Sequence, residues 1–228
     1  MSLKNVLSAL TFTLMLVALY VVFLYAPTER TMGEVQRIFY FHVSSAWTSF
    51  LAMFFVLIYS IQFLRTGSRE YDVRAASAAE VGAVFCSLIL VTGPLWAKPV
   101  WGIWWTWDPR LTSSFLLWLI YMGYIILRRV LESPERKARL SAVFGIIGAV
   151  DVPIVYMSNR WWRTQHPQPV MAGGGGLDPQ MRLAFLITLT AFTLLYIYLW
   201  TVRCDLERSS DVVESLQRQL QIQGMEAR

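Results

Sequence analysis

The sequence is poor in charge, in histidine and in cysteine, and each shortage excludes something. Only 15% of its 228 residues are Asp, Glu, Lys or Arg, against about 25% in soluble domains. With 56% apolar residues, that balance suits lipid as the solvent. The two cysteines, Cys86 near the middle of one apolar run and Cys204 past the end of another, lie at different depths and do not pair. No Cys-x-x-Cys-His stretch occurs, which excludes covalent haem attachment. No G-x-x-x-x-G-K-[ST] loop occurs either, so any ATP used is hydrolysed by a partner. The two histidines, His42 and His166, belong to no His/Cys cluster of zinc-like spacing.

What is abundant is long apolar sequence. Runs recur at residues 6–25, 43–64, 75–96, 111–127, 140–157 and 183–202, each about long enough to cross roughly 30 Å of hydrocarbon as a helix. Lipid satisfies no backbone polar group, so such runs are helices and the fold class is all-α, a polytopic protein of six transmembrane helices. The first run lacks a small-x-small cleavage pattern and reads as helix one rather than a signal peptide. Thirteen of the twenty Lys and Arg fall in segments on the N-terminal side, which places both termini in the cytoplasm. This bias accounts for the net charge of +5, so the charge is no argument for nucleic acid as a partner. The membrane-embedded domain is residues 1–202. Residues 203–228 form a cytoplasmic tail in which Leu206, Val213, Leu216 and Leu220 approach heptad spacing, enough for an amphipathic helix. Gly173 to Gly176 read as linker slack before the last span.

On this topology, residues 26–41, 97–110 and 158–182 face outward. Of ten tryptophans, Trp96, Trp101, Trp104, Trp105, Trp107, Trp161 and Trp162 lie in or beside these segments. An interfacial belt would be symmetric, and it accounts poorly for four tryptophans within seven residues. At helical periodicity Trp101, Trp104, Trp105, Asp108 and Thr112 share one stripe, which fits a short interfacial helix. Pro109 then breaks it, with Asp108 as N-cap and Pro109 as first residue of the next helix. A platform of indoles suits a flat, apolar, polarisable ligand of about porphyrin size.

Both histidines fall at the outward boundary, His42 after Phe39-Tyr40-Phe41 and His166 after Trp161-Trp162. Two neutral imidazoles facing each other across such a floor make a six-coordinate haem iron site. Lys98, Arg110, Arg160 and Arg163 are candidate partners for anionic propionates, Arg110 foremost because it adjoins the tryptophan segment. Two acids lie within spans: Glu80 is close enough to the inner end to snorkel, and Asp151, before Pro153, reads as structural, with a lining role as the alternative.

The stretch Trp101-Gly102-Ile103-Trp104-Trp105-Thr106-Trp107-Asp108-Pro109-Arg110-Leu111-Thr112 resembles the tryptophan-rich WWD signature of the haem-handling proteins of cytochrome c assembly. Six spans and Arg110-Leu111-Thr112 after the aspartate resemble, within that superfamily, the haem exporter protein C (CcmC) family, over about residues 40–200, with the tail outside. The resemblance implies non-covalently held haem b, His42 and His166 as axial ligands, and Trp101, Trp104, Trp105, Trp107 and Asp108 as the platform. It implies delivery at the periplasmic face of a bacterial inner membrane, not catalysis. Its partners would be the haem chaperone CcmE, the small membrane peptide CcmD and the ABC transporter subunits CcmA and CcmB. The rival readings are an electron-transfer b-type cytochrome, which places histidines inside the bundle, and a small-molecule transporter, which needs broken helices at midplane.

Overall fold

The computed structural model describes residues 3–167 and 176–226; Gly173, Gly174 and Gly175 of the linker lie outside them. Seven α-helices occur among the described residues: α1 Leu3–Tyr20, α2 Ile38–Thr66, α3 Arg69–Trp101, α4 Pro109–Val130, α5 Pro134–Ala149, α6 Asp151–Trp161 and α7 Pro179–Glu226. They supply six spans long and apolar enough to cross a membrane, with α5 and α6 sharing one, Pro134–Trp161. The break at Val150 follows from Pro153, whose missing N–H leaves the carbonyl four residues back without its helical partner; Val150 N–H closes on Ile147 instead, at 3.1 Å. Asp151 sits at this break, 5% exposed, and its Oδ2 has no hydrogen-bond partner among the described residues.

α2 packs chiefly on α3, and α4, α5 and α7 close around that pair. Small side chains make the approach close: Ser44, Ser45, Thr48, Ser49 and Ala52 of α2 are buried, as are Ala75, Ala76, Ala78, Ala79 and Ala83 of α3. At Gly82 the approach leaves no room for a side chain. A Cβ there would lie 2.6 Å from Ala52 Cβ and 2.7 Å from the Tyr121 hydroxyl, which donates to the Ser49 carbonyl at 2.6 Å.

Arginines tie up the ends. Beyond α1, a single π-type turn at Val21–Tyr25 leaves carbonyls unpaired within the helix, and Arg37 donates to those of Val22 and Ala26. At the opposite end of the bundle, Arg128 grips Asp72 with two bonds, 2.6 and 3.0 Å. Glu80, whose expected snorkelling needs no protein partner, instead accepts two bonds from Arg203 of α7, 2.5 and 3.0 Å. α7 has no Gly or Pro after Pro179 until Gly224 and runs unbroken past residue 202. Leu206, Val213, Leu216 and Leu220 are all exposed along it.

Candidate functional site

Helices alternate in direction, so the end of α3, the starts of α2 and α4, and the end of α6 meet at one end of the bundle. His42 lies in the second turn of α2, half-buried. His166 lies in non-helical chain after α6. The two rings nonetheless come together, with centroids 6.5 Å apart and planes inclined by 36°.

The tautomer of each imidazole follows from its neighbours. Thr92 of α3 stands 2.8 Å from His42 Nδ1. The one proton of its hydroxyl goes to the Leu88 carbonyl at 2.6 Å, so Thr92 Oγ1 accepts and His42 Nδ1 donates. His166 Nδ1 lies 2.9 Å from the Pro167 carbonyl, which can only accept, so this nitrogen also carries its proton. The same carbonyl takes the Asn159 amide at 2.8 Å. In both rings Nε2 is therefore the nitrogen with the free lone pair, and this hydrogen bonding through the other nitrogen is the arrangement found behind metal-bound imidazoles. Burial lowers the His166 pKa to about 4, helped by the charge of Arg110, so its ring is neutral at neutral pH.

The tryptophan segment departs from the expected short helix. α3 runs on to Trp101 and is stopped by Gly102, which takes the left-handed conformation at φ 78°; its N–H closes on Lys98 and the Lys98 amine donates to its carbonyl, 3.0 and 2.9 Å. Residues 102–108 are then non-helical, and the stripe of Trp101, Trp104, Trp105, Asp108 and Thr112 does not form. Trp101 and Trp105 line a cleft of about 50 Å³ beside His42, with Gly93, Pro94, Leu111 and Ser114. Trp105 is half-buried and its Nε1 finds no partner among the described residues. Trp107 packs edge-on against it, centroids 5.6 Å apart, yet is 73% exposed. Trp104 turns away under the Lys98 amine, 5.9 Å from its ring centre. The cleft has room for the rim of a flat ligand and not for all of it, one water needing about 10–15 Å³ of such space.

Asp108 caps α4 as expected, accepting from Arg110 N at 2.9 Å and Leu111 N at 3.2 Å, with Pro109 first in the helix. It does more than cap. The Thr106 hydroxyl donates to one oxygen at 2.7 Å and the Thr164 hydroxyl to the other at 2.8 Å. Burial works to raise this carboxyl, but the two hydroxyls and two amides outweigh it and hold it below the usual carboxylate range. The Arg110 guanidinium turns inward and donates to the Val155 carbonyl of α6. Arg160 lies over Tyr156, 6.0 Å from its ring centre. Thr92, Asn159 and Thr164 were not singled out in the sequence; only Thr164, two residues before His166, has a local signal, a hydroxyl placed to accept the His166 N–H at 3.1 Å.

The class of protein is thereby set: a multi-pass, all-helical membrane protein with two imidazoles paired beside a tryptophan-rich loop at one end of the bundle. The comparisons with known proteins place it further. The chain belongs to the CcmC, haem exporter protein C, family, whose model matches residues 1–219, so most of the tail falls inside the family match and not outside it. It is 40% identical over 195 residues to haem exporter protein C of Bradyrhizobium diazoefficiens, covering 85% of this chain and 74% of that protein. It is 34% identical over 178 residues to haem exporter protein C of Escherichia coli, covering 75% and 69%. A Marchantia polymorpha protein named as ccmC-like, mitochondrial and of cytochrome c biosynthesis is 35% identical over 179 residues, covering 78% and 76%. The protein is thus a multi-pass membrane component of haem handling in cytochrome c maturation.

Proposed function

We propose that the protein carries haem b, without a covalent bond, between the Nε2 atoms of His42 and His166, and delivers it to a receiving protein. The observation that supports this best is the spacing of the two rings. Two metal–nitrogen bonds of about 2.0 Å, with about 1.1 Å from each nitrogen to its ring centre, ask for a centroid separation of about 6.2 Å. The rings stand 6.5 Å apart with both Nδ1 atoms already engaged. Trp101 and Trp105 would meet one rim of the macrocycle, and Trp107 and Asp108 flank it. Trp104 and Arg110 are held by Lys98 and by the Val155 carbonyl, which supports a framework role for both. With one rim in a small cleft and the other uncovered, haem is presented for transfer.

In this reading the site faces the periplasm of a bacterial inner membrane, the haem chaperone CcmE receives the cargo, and CcmD, CcmA and CcmB are the assembly partners. Residues 203–228 form the cytoplasmic portion, with any ATP hydrolysed by the transporter subunits.

The test is the optical spectrum of the purified full chain loaded with haem. Wild type is expected to give a six-coordinate low-spin signal that His42→Ala and His166→Ala each abolish. A spectrum unchanged by both substitutions rejects the site. Mixing loaded protein with soluble chaperone separates delivery, in which the haem moves, from electron transfer, in which it stays. Labelling of cysteines introduced at the exposed residues 31 and 165 from one side of sealed vesicles checks the shared face.

A further inference from the structure

If the two histidines ligate haem iron, they are not held alike. His42 is part of a continuous helix, and its ring is hydrogen-bonded across to a second helix. His166 lies in non-helical chain, its Nδ1 donates to the Pro167 carbonyl beside it, and that carbonyl also takes the amide of Asn159 in the last turns of α6, so this tie runs back to the helix the segment leaves and not across to a second one. The link between that segment and the tryptophan loop is a relay through one hydroxyl. Thr164 Oγ1 accepts the His166 N–H at 3.1 Å and donates its own proton to Asp108 Oδ1 at 2.8 Å. Asp108 in turn is fixed to the N-terminus of α4 by two amides. The acceptor is an ionised carboxylate, so the bond it receives is a strong one of its kind, yet it is a single bond between half-buried groups.

We propose that Thr164 is a positioning residue, a latch that docks the His166 segment on Asp108, and that its opening frees the His166 side of the iron while His42 keeps its hold. Transfer then begins on the His166 side, where a receiving protein's own ligand can take the vacated position. This rests on the haem reading above and deepens it.

The experiment uses the full-length chain loaded with haem, comparing wild type, Thr164→Val, Thr164→Ala and Thr164→Ser, with His42→Ala and His166→Ala alongside. Two readouts are taken: the coordination state by absorbance and electron paramagnetic resonance, and the rate at which apomyoglobin removes the haem. Thr164→Val keeps the shape and removes the hydroxyl. It is expected to retain haem through His42, to shift from six-coordinate low-spin towards five-coordinate high-spin, and to lose haem roughly tenfold faster or more. Thr164→Ala gives the same result should valine impair folding, and Thr164→Ser matches wild type. A wild-type spectrum and release rate in both Thr164→Val and Thr164→Ala overturns the latch, as does a serine variant that behaves like valine. Complete loss of haem from a folded Thr164→Val overturns the unequal hold. Should the two alanine variants at the histidines leave the spectrum intact, the haem site itself fails; should they change it while Thr164→Val does not, only the latch fails.

Discussion

Replacing Thr92 with valine tests whether the tautomer of His42 is set by its neighbour. The substitution keeps the branched shape and removes one acceptor. In the wild type the Thr92 proton is committed to Leu88, 2.6 Å away, and the oxygen accepts from His42 Nδ1 at 2.8 Å. Valine leaves that N–H without a partner in a half-buried place and frees the ring to turn or to move its proton to Nε2, where a metal would bind. The hydrogen bond alone contributes about 1 kcal/mol, a factor of about five in affinity. Losing the group that orients a metal-bound imidazole characteristically costs about 10- to 100-fold. The second figure dominates because the wrong tautomer presents no lone pair. The assay is a haem titration of purified protein, with apomyoglobin competition for the dissociation constant. Thr92→Val is expected to bind 10- to 100-fold more weakly, by that estimate, and Thr92→Ser to match wild type. A valine variant within about twofold of wild type, while His42→Ala binds none, would show that the ring is oriented by packing and not by Thr92, and the tautomer argument would be lost.

Other substitutions probe the frame and the loop. Arg128→Leu leaves Asp72, 3% exposed, with Arg69 as its remaining cation, and should cost about 3 kcal/mol in a detergent unfolding titration, whereas Asp72→Leu with Arg128→Leu should cost less than the two singles together. Gly82→Ala forces Ala52 and Tyr121 apart and should cost about 1–3 kcal/mol in the same assay. Asp108 has a lowered carboxyl pKa in the folded protein, so the stability its charge gives is complete above the unfolded carboxylate range and is lost as pH falls through the folded value; the gap between wild type and Asp108→Asn should be constant above about pH 5 and should close below about pH 4. Trp105→Phe removes the unpartnered Nε1–H at the cleft and should weaken haem binding more than Trp104→Phe, whose ring lies under Lys98, by the same competition assay.

The spans were legible in the sequence because lipid leaves the backbone one choice, and the Asp108-Pro109 start of α4 was legible because it rests on a local backbone rule. The short tryptophan helix failed on a local rule too. Gly102 follows Trp101 and supplies the left-handed residue that ends α3, a stop signal stronger than the periodicity of rings across it. Arg110 was assigned to a ligand because it adjoins the tryptophan segment in the chain, but its guanidinium reaches α6, 45 positions away. Thr92 and Thr164 find their partners 50 and 56 positions away, and such pairs depend on how helices are set against one another, which no local pattern encodes. Glu80 and Arg203 are separated by 123 positions and were invisible as a pair for the same reason.

The two ends of the bundle are held by different chemistry, and that difference bears on function. Away from the histidines, Arg69, Asp72 and Arg128 join α3 to α4, and Glu70, Glu80, Arg203, Glu207, Arg208 and Asp211 join α3 to α7. Between α3 and α7 several ion pairs act together, so no single rupture releases that helix. At the histidine end Arg37, Lys98 and Arg110 donate to backbone carbonyls, and the loop around His166 is itself tied by single hydrogen bonds from hydroxyls and amides, with Asp108 the charged acceptor among the described residues. Opening the Thr164 bond moves a segment that belongs to no helix, so the six spans keep their packing while the loop gives way. A carrier needs that separation. Were the mobile ligand on α2 and the fixed one on the loop, release would mean shifting the helix whose packing on α3 forms the core of the bundle, and transfer would compete with the fold. If His166 on the loop is the ligand that lets go, as proposed, the free energy separating loaded from open would be confined to a few groups around Asp108.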